Sequence, residues 1–167
     1  MRSHIAIDIA APPALVFELA RDVERWPSLL PHYVRVRAQA RHADGALTAQ
    51  MVALRSLIPM LGLAIPVAWR ARTWAEENER RLRFRHLGGA TAGMDVTWHI
   101  EPAGTGSHVT IEHDFASAPA AWAALVDRLF VRPIAGRTLA TFKSIAEAAG
   151  ETVARRSEPP VPSKTRA

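Results

Sequence analysis

The chain has 167 residues, of which 49% are apolar, a formal net charge of +5 and no cysteine. These values fit one globular domain with a sizeable core, and they exclude disulfides, thiolate metal sites and cysteine nucleophiles. No apolar run reaches the roughly 18 residues of a transmembrane helix, and Pro12 and Pro13 interrupt any signal-peptide core. We therefore expect a cytoplasmic protein.

The positive charge comes almost entirely from arginine. Arg81, Arg83 and Arg85 alternate along one expected strand, and the other arginines are scattered. A nucleic-acid binder would cluster such charge beside exposed aromatic residues, so we expect a solvated outer face and no nucleic-acid partner. Weak attraction to anionic lipid or to an acidic carrier protein remains the alternative.

The first third of the chain predicts a strand, two short helices and two further strands. Residues 4–10 alternate apolar and polar side chains, which indicates a strand. Residues 12–31 contain apolar residues at helical spacing and a Trp-Pro break, which indicates two short helices. Strands are expected over 33–41 and 46–54, joined by a turn at Asp44-Gly45.

Four more strands are expected before the C-terminal helix. Residues 66–75 and 80–87 form a hairpin, and 94–101 and 109–115 alternate most cleanly, with one dry and one wet face. That alternation is typical of an antiparallel sheet that packs on one side only.

A long helix is expected over 120–149, with Trp122, Val126 and Leu129 on its apolar face. Pro133 should kink or split it, and Gly150 should end it. Residues 1–150 then make a single ligand-binding domain, and 151–167 a disordered tail. The fold class is α+β, a curved antiparallel sheet of about seven strands wrapped on the long helix, with an internal hydrophobic cavity of some hundreds of Å³.

Four segments resemble a known family: 11–27 (A-P-x-x-x-V-F-x-L-x-x-D-V-x-x-W-P), 94–102, 109–115 and 134–139. They are similar to the START-like helix-grip (SRPBCC) superfamily and, within it, to the polyketide cyclase/dehydrase (aromatase/cyclase) and lipid-transport family. The resemblance implies a helix-grip fold and a hydrophobic small-molecule ligand, with no cofactor or metal. A carrier protein or synthase is a possible partner.

The resemblance also suggests two catalytic residues, Arg72 and Tyr33. Arg72 would stabilise an enolate oxygen in the cavity, and Tyr33 would donate or relay a proton. The alternation of side chains along a strand leaves it open whether Arg72 faces the cavity, because an inward Val67 and Trp69 would turn Arg72 outward.

His113 is the third catalytic candidate, since it shares a face with Val109, Ile111 and Phe115. An imidazole there would act as a general acid or base, or it would be a hydrogen-bonded core residue. We further expect a set of mostly apolar and aromatic residues to contact the ligand: Trp26, Trp69, Trp74, Phe84, His86, Met94, Val96, Trp98, Ile111, Phe115, Leu129 and Ile134.

An apolar loop closed by prolines spans residues 56–66. It would serve as a cavity lid, a membrane-touching lip or a dimer surface, or it would extend a strand onto the core. The sequence is compatible with a monomer or a homodimer.

Two functions follow from these residues. The first is a cyclase/aromatase-like protein that promotes aldol cyclisation and dehydration of a folded poly-ketone. The second is a non-catalytic carrier or chaperone for a lipid, quinone or polyketide. Polar groups converging in the cavity wall would favour the enzyme, and an entirely apolar wall the carrier.

Overall fold

A computed structural model describes residues 1–58, 60, 62–116 and 118–157. The described strands are β1 (Arg2–Ile9), β2 (Tyr33–Arg41), β3 (Leu47–Ile58), β4 (Leu63–Glu76), β5 (Arg81–Gly88), β6 (Asp95–Ala103) and β7 (Gly106–Asp114). The α-helices are α1 (Pro13–Arg21), α2 (Trp26–Leu29), α3 (Ala120–Val126) and α4 (Arg132–Ser157). Single 3₁₀ turns lie at Val23–Arg25 and Glu77–Glu79, and a π-helical turn, Asp127–Val131, joins α3 to α4.

The seven strands form one antiparallel sheet in the order β1-β7-β6-β5-β4-β3-β2. Each strand from β2 to β6 therefore pairs with the next strand along the chain, and β1 lies at one edge of the sheet beside β7. We call the end of the sheet that holds the turns 42–46, 77–80 and 104–105 the α1 end, because α1 follows β1 there. The opposite end, where β1 begins and α3 follows β7, is the α3 end.

The core lies between one face of the sheet and the C-terminal helices. Alternate residues of the central strands are buried on that face, including Leu82, Trp98 and Ile111, as the period of two requires. Leu139 and Phe142 of α4 are buried against them. The α+β class and the helix-grip arrangement expected from the sequence are confirmed.

The C-terminal helical segment, where a kink or split was predicted at Pro133, changes instead to a π-helical turn immediately before that proline. A proline at position 133 has no N–H to donate to the carbonyl of Leu129. That carbonyl oxygen instead accepts a hydrogen bond of 2.7 Å from Nε of Arg55 on β3. This helical segment is therefore fastened to the far end of the sheet.

Two boundaries differ from the expectation. The helix α4 runs past Gly150 to Ser157, so Gly150 does not end it, and residues 158–167 lie outside the described residues. The apolar segment 56–66 is a continuation of the β3–β4 hairpin, in which Ser56 lies opposite Ala64. It does not fold onto the core, since Leu57 and Leu63 are exposed; Pro59 and Leu61 lie outside the described residues.

Among the described helices, none combines the length and apolar character needed to cross a membrane.

Candidate functional site

A cavity of about 90 Å³ lies between the sheet and the C-terminal helices. The sequence led us to expect a cavity of some hundreds of Å³. The observed cavity is smaller because aromatic side chains fill much of the space. Its wall consists of Trp26, Tyr33, Met51, Val67, Trp69, Phe84, His86, Thr91, Met94, Val96, Trp98, Ile111, His113, Phe130, Val131, Ile134, Ala135 and Thr138. Most of the expected ligand-binding residues are thus brought to one wall.

Arg72 is not in this wall, which corrects its expected place in the cavity. The inward residues of β4 are its neighbours Ala71 and Thr73, both buried. The Arg72 side chain is on the opposite face, where it forms an ion pair with Asp44. A hydrogen bond from the Ala46 backbone and the Arg72 charge lower the pKa of Asp44. Arg72 therefore has no access to an oxyanion inside the cavity.

Three expected ligand contacts also lie elsewhere. Trp74 shares the outer face with Arg72, where it borders a polar groove beside Arg83. Phe115 is buried but lies outside the cavity wall. Leu129 is exposed, because its position falls on the solvent side of the π-helical turn, and the next residue, Phe130, lines the cavity instead.

Tyr33 belongs to a buried polar group centred on Thr138 of α4. The Thr138 hydroxyl donates to the carbonyl oxygen of Ile134 at 2.8 Å. His32 Nε2 lies 2.9 Å from the same hydroxyl oxygen. Because the Thr138 proton is already donated to Ile134, His32 Nε2 is the donor in this second hydrogen bond. Tyr33 also bonds to Thr138, and burial raises the pKa of its phenol. Tyr33 consequently carries its proton at neutral pH. Sequence reasoning missed His32 and Thr138.

His86 is held rigidly in the wall. Its ring stacks on Trp69 with centroids 5.9 Å apart and planes 8° apart, and its Nδ1 lies 2.6 Å from Oγ1 of Thr91. Burial, with a smaller contribution from nearby His113, lowers the pKa of His86 to about 3. His86 is therefore a neutral imidazole whose orientation is already set before any ligand binds.

His113 differs from His86 because it lacks a partner. It is 4% exposed, and its Nδ1 has no hydrogen bond within the described part of the chain. Burial lowers the pKa of His113 to about 4, while Asp127 raises the pKa and Arg132 lowers it. A neutral imidazole with a free nitrogen in a cavity wall is suited to accept a proton or a hydrogen bond from a ligand.

A buried carboxylate lies beside His113. Asp127, in the π-helical turn, accepts a hydrogen bond of 2.6 Å from Ser3 Oγ and one of 2.8 Å from Arg132 Nε. Sequence reasoning missed Asp127, because its burial depends on the hydrogen bonds from Ser3 and Arg132. Short π-helical turns occur often at functional sites. Within the described ranges, no cluster of three or more His, Asp, Glu or Cys could hold a metal.

Comparisons with known proteins identify the family of this chain. Residues 2–147 match the family model described as polyketide cyclase/dehydrase and lipid transport. A Streptomyces cyaneus protein, provisionally named a polyketide cyclase, is 28% identical over 68% of this chain and 71% of its own length. The granaticin polyketide synthase bifunctional cyclase/dehydratase of Streptomyces violaceoruber is 28% identical over 77% of this chain, which spans 39% of that protein.

Two solved structures have the same fold. The Zhui aromatase/cyclase from Streptomyces sp. R1128 is similar with a TM-score of 0.70 and 17% identity, over 88% of this chain and 93% of that one. A START superfamily protein from Mycobacterium smegmatis has a TM-score of 0.61 and 16% identity, over 91% and 98%.

Proposed function

Because the chain belongs to the polyketide cyclase/dehydrase and lipid transport family, we propose that its cavity binds a hydrophobic ketone and promotes aldol cyclisation and dehydration. One observation carries this proposal: His113 lines a mainly apolar wall, and its buried Nδ1 has no hydrogen-bond partner within the described residues. Leaving such a group without a partner costs about 1–3 kcal/mol of stability. A ligand oxygen or an acidic C–H would relieve that cost.

The proposed chemistry uses neutral groups. His113 takes the proton from the carbon between two ketones, the resulting enolate attacks a second ketone to close a ring, and the new alkoxide takes the proton back from His113. Dehydration follows when His113 removes another such proton while the new hydroxyl leaves with a proton from Tyr33, releasing water. The proton on His113 then returns to the Tyr33 phenolate, which restores both groups. With a pKa of about 4, His113 is a weak base. The substrate must therefore have acidic C–H bonds, as a poly-β-ketone does.

The size of the cavity limits what it holds without rearrangement. Its volume of about 90 Å³ is below the roughly 150 Å³ of a protein cavity that binds benzene. Ligand entry therefore requires wall side chains to move. Phe130 is a half-buried wall residue that follows the exposed Leu129 at the α3 end, and we expect it to be among the side chains that shift.

A non-catalytic carrier for a lipid, quinone or polyketide is the second candidate. It is favoured by the absence of any Lys, Arg, Asp or Glu among the described residues of the wall. With Arg72 on the outer face, an enolate would be stabilised only by neutral donors such as the Tyr33 hydroxyl. A carrier would need none of these groups to react.

His113→Asn distinguishes the two candidates. With a short poly-β-ketone thioester as probe, we expect turnover to fall by about 10²–10⁴-fold, the usual contribution of a general base, while binding measured by quenching of tryptophan fluorescence stays within a few-fold. The exposed His4→Asn is the matched control and should behave as wild type. Unchanged turnover in His113→Asn would refute the catalytic role, and binding without any wild-type turnover would support the carrier.

A further inference from the structure

The exposed large apolar side chains of the described chain are concentrated at one end of the molecule. Soluble proteins usually scatter such residues singly over the surface. Here the whole set lies at the α3 end: Met1, Val34, Leu57, Met60, Leu63, Leu87, Trp122, Leu125 and Leu129.

Strand register brings these residues together. Arg2 lies opposite Asp114, and Asp114 opposite Asp95, so β1 and β6 begin and β7 ends at the same level. The β3–β4 hairpin extends beyond that level, and Met60 near its tip is 96% exposed. The hydrogen bond from Arg55 to the Leu129 carbonyl places the base of this hairpin against the helical segment.

The helical part of this surface is a continuous stripe. Trp122, Leu125 and Leu129 follow one another at intervals of three and four residues, which places them on one helical face. All three are exposed. The neighbouring face of the same segment is buried through Ala123 and Val126. The apolar stripe therefore faces solvent and is additional to the core-forming face.

Charge also differs between the two ends of the molecule. Residues 51–66 and 116–132, at the α3 end, contain Arg55, Arg128 and Arg132 and a single acidic residue, Asp127, which pairs with Arg132. The other acidic residues at the α3 end, Asp95 and Asp114, are each paired with an arginine. Acidic residues are more numerous at the α1 end and include Glu24, Asp44, Glu76, Glu77 and Glu79, each of which is also paired with an arginine. The apolar end is thus the basic end.

We propose that the α3 end docks on the surface of an anionic lipid bilayer. The hairpin tip and the Trp122–Leu129 stripe enter the headgroup region, and Arg55 and Arg128 at their border contact lipid phosphates. A second copy of the chain fits this surface less well, because a symmetric dimer would bring two basic faces together. This membrane docking does not require a ligand in the cavity, so it is independent of the proposed function.

Vesicle flotation tests the proposal. The full chain should float with phosphatidylcholine–phosphatidylglycerol vesicles and not with phosphatidylcholine alone, and added salt should weaken the association. No cavity ligand is present, so the result does not depend on the outcome for His113→Asn. Failure to float with the anionic vesicles would overturn the proposal.

Matched variants locate the surface. Arg128→Glu removes one positive charge and adds one negative charge. Because each charge near an anionic membrane contributes about a factor of five, the substitution should weaken partitioning roughly twentyfold. Arg25→Glu makes the same charge change beside Glu24, whose partner Arg41 lies at the α1 end, and should have little effect. Equal losses in both variants would indicate a diffuse attraction and contradict the assignment.

The apolar part is tested by Met60→Ser combined with Leu125→Ser, two exposed positions where substitution leaves the core intact. We expect at least tenfold weaker partitioning, because both side chains lose their burial in lipid. Light scattering of wild type and variant serves as the second readout. A wild-type dimer that this variant converts to a monomer would assign the surface to self-association and overturn membrane docking.

Discussion

Replacing Trp26 with alanine is expected to cost about 3–5 kcal/mol of unfolding free energy, the range for large aromatic residues in cores. Trp26 is 2% exposed, and its ring lies 5.0–5.9 Å from four other aromatic rings, those of Tyr33, Phe84, Trp98 and Phe142. Its indole N–H also donates to the carbonyl oxygen of Ala20 at 3.0 Å. The substitution removes a residue that joins α1, the sheet and α4.

Urea denaturation followed by circular dichroism measures this effect. Because small domains are stable by only about 5–15 kcal/mol, Trp26→Ala should retain little folded protein at 37 °C. Trp26→Phe keeps part of the ring packing and should lose less. Trp122→Ala is the control, since Trp122 is 49% exposed, and it should change stability by less than about 1 kcal/mol. Equal losses at positions 26 and 122 would contradict the central role of Trp26.

The sheet was predictable because its strands carry strong local patterns. Val96, Trp98 and Ile100 alternate with polar residues, and all three are buried in the structure. The turn at Asp44-Gly45 was predictable for a similar reason, as Gly45 has the positive φ that such a turn needs. These features are decided by neighbours in sequence, which a single chain displays directly.

The position of Arg72 is a case in which the family resemblance gave a wrong prediction. Strand alternation left the orientation of Arg72 open, with an outward side chain if Val67 and Trp69 face inward, whereas the resemblance placed it in the cavity. The structure follows the period, because the ladder from Leu47–Thr73 to Ala53–Val67 is unbroken. Distant similarity thus transferred a role to a position from which the side chain cannot perform it.

The helical site residues were harder to predict for a physical reason. Trp122 and Leu129 are more hydrophobic than Ala123 and Asp127, so a pattern of hydrophobicity selects the wrong face. Burial of Asp127 becomes favourable only through Ser3, which is 124 positions away, and Arg132. The π-helical turn that shifts the phase depends on Pro133 and on Arg55 of another element. Neither condition is visible in a local window.

Acidification below pH 6.5 is expected to destabilise the protein steeply. Burial holds the pKa of His32 and of His113 at about 4 and the pKa of His86 at about 3, against 6.5 when unfolded. Between these values the unfolded chain binds protons that the folded chain does not, so the unfolding free energy falls as the pH falls. Each histidine contributes about 1.4 kcal/mol per pH unit, and the three together remove several kcal/mol by pH 4.

Urea midpoints measured from pH 7 to pH 4 test this expectation through a slope, which is insensitive to the absolute stability of a variant. His86→Gln should reduce the slope by about one third, since it removes one of the three linked protons, and the exposed His4→Gln should leave it unchanged. A flat profile in the wild type would mean that the cavity accommodates imidazolium. In that case His113 would be partly protonated near neutrality and unavailable as a base, so the stability profile and the proposed proton transfer depend on the same property of the wall.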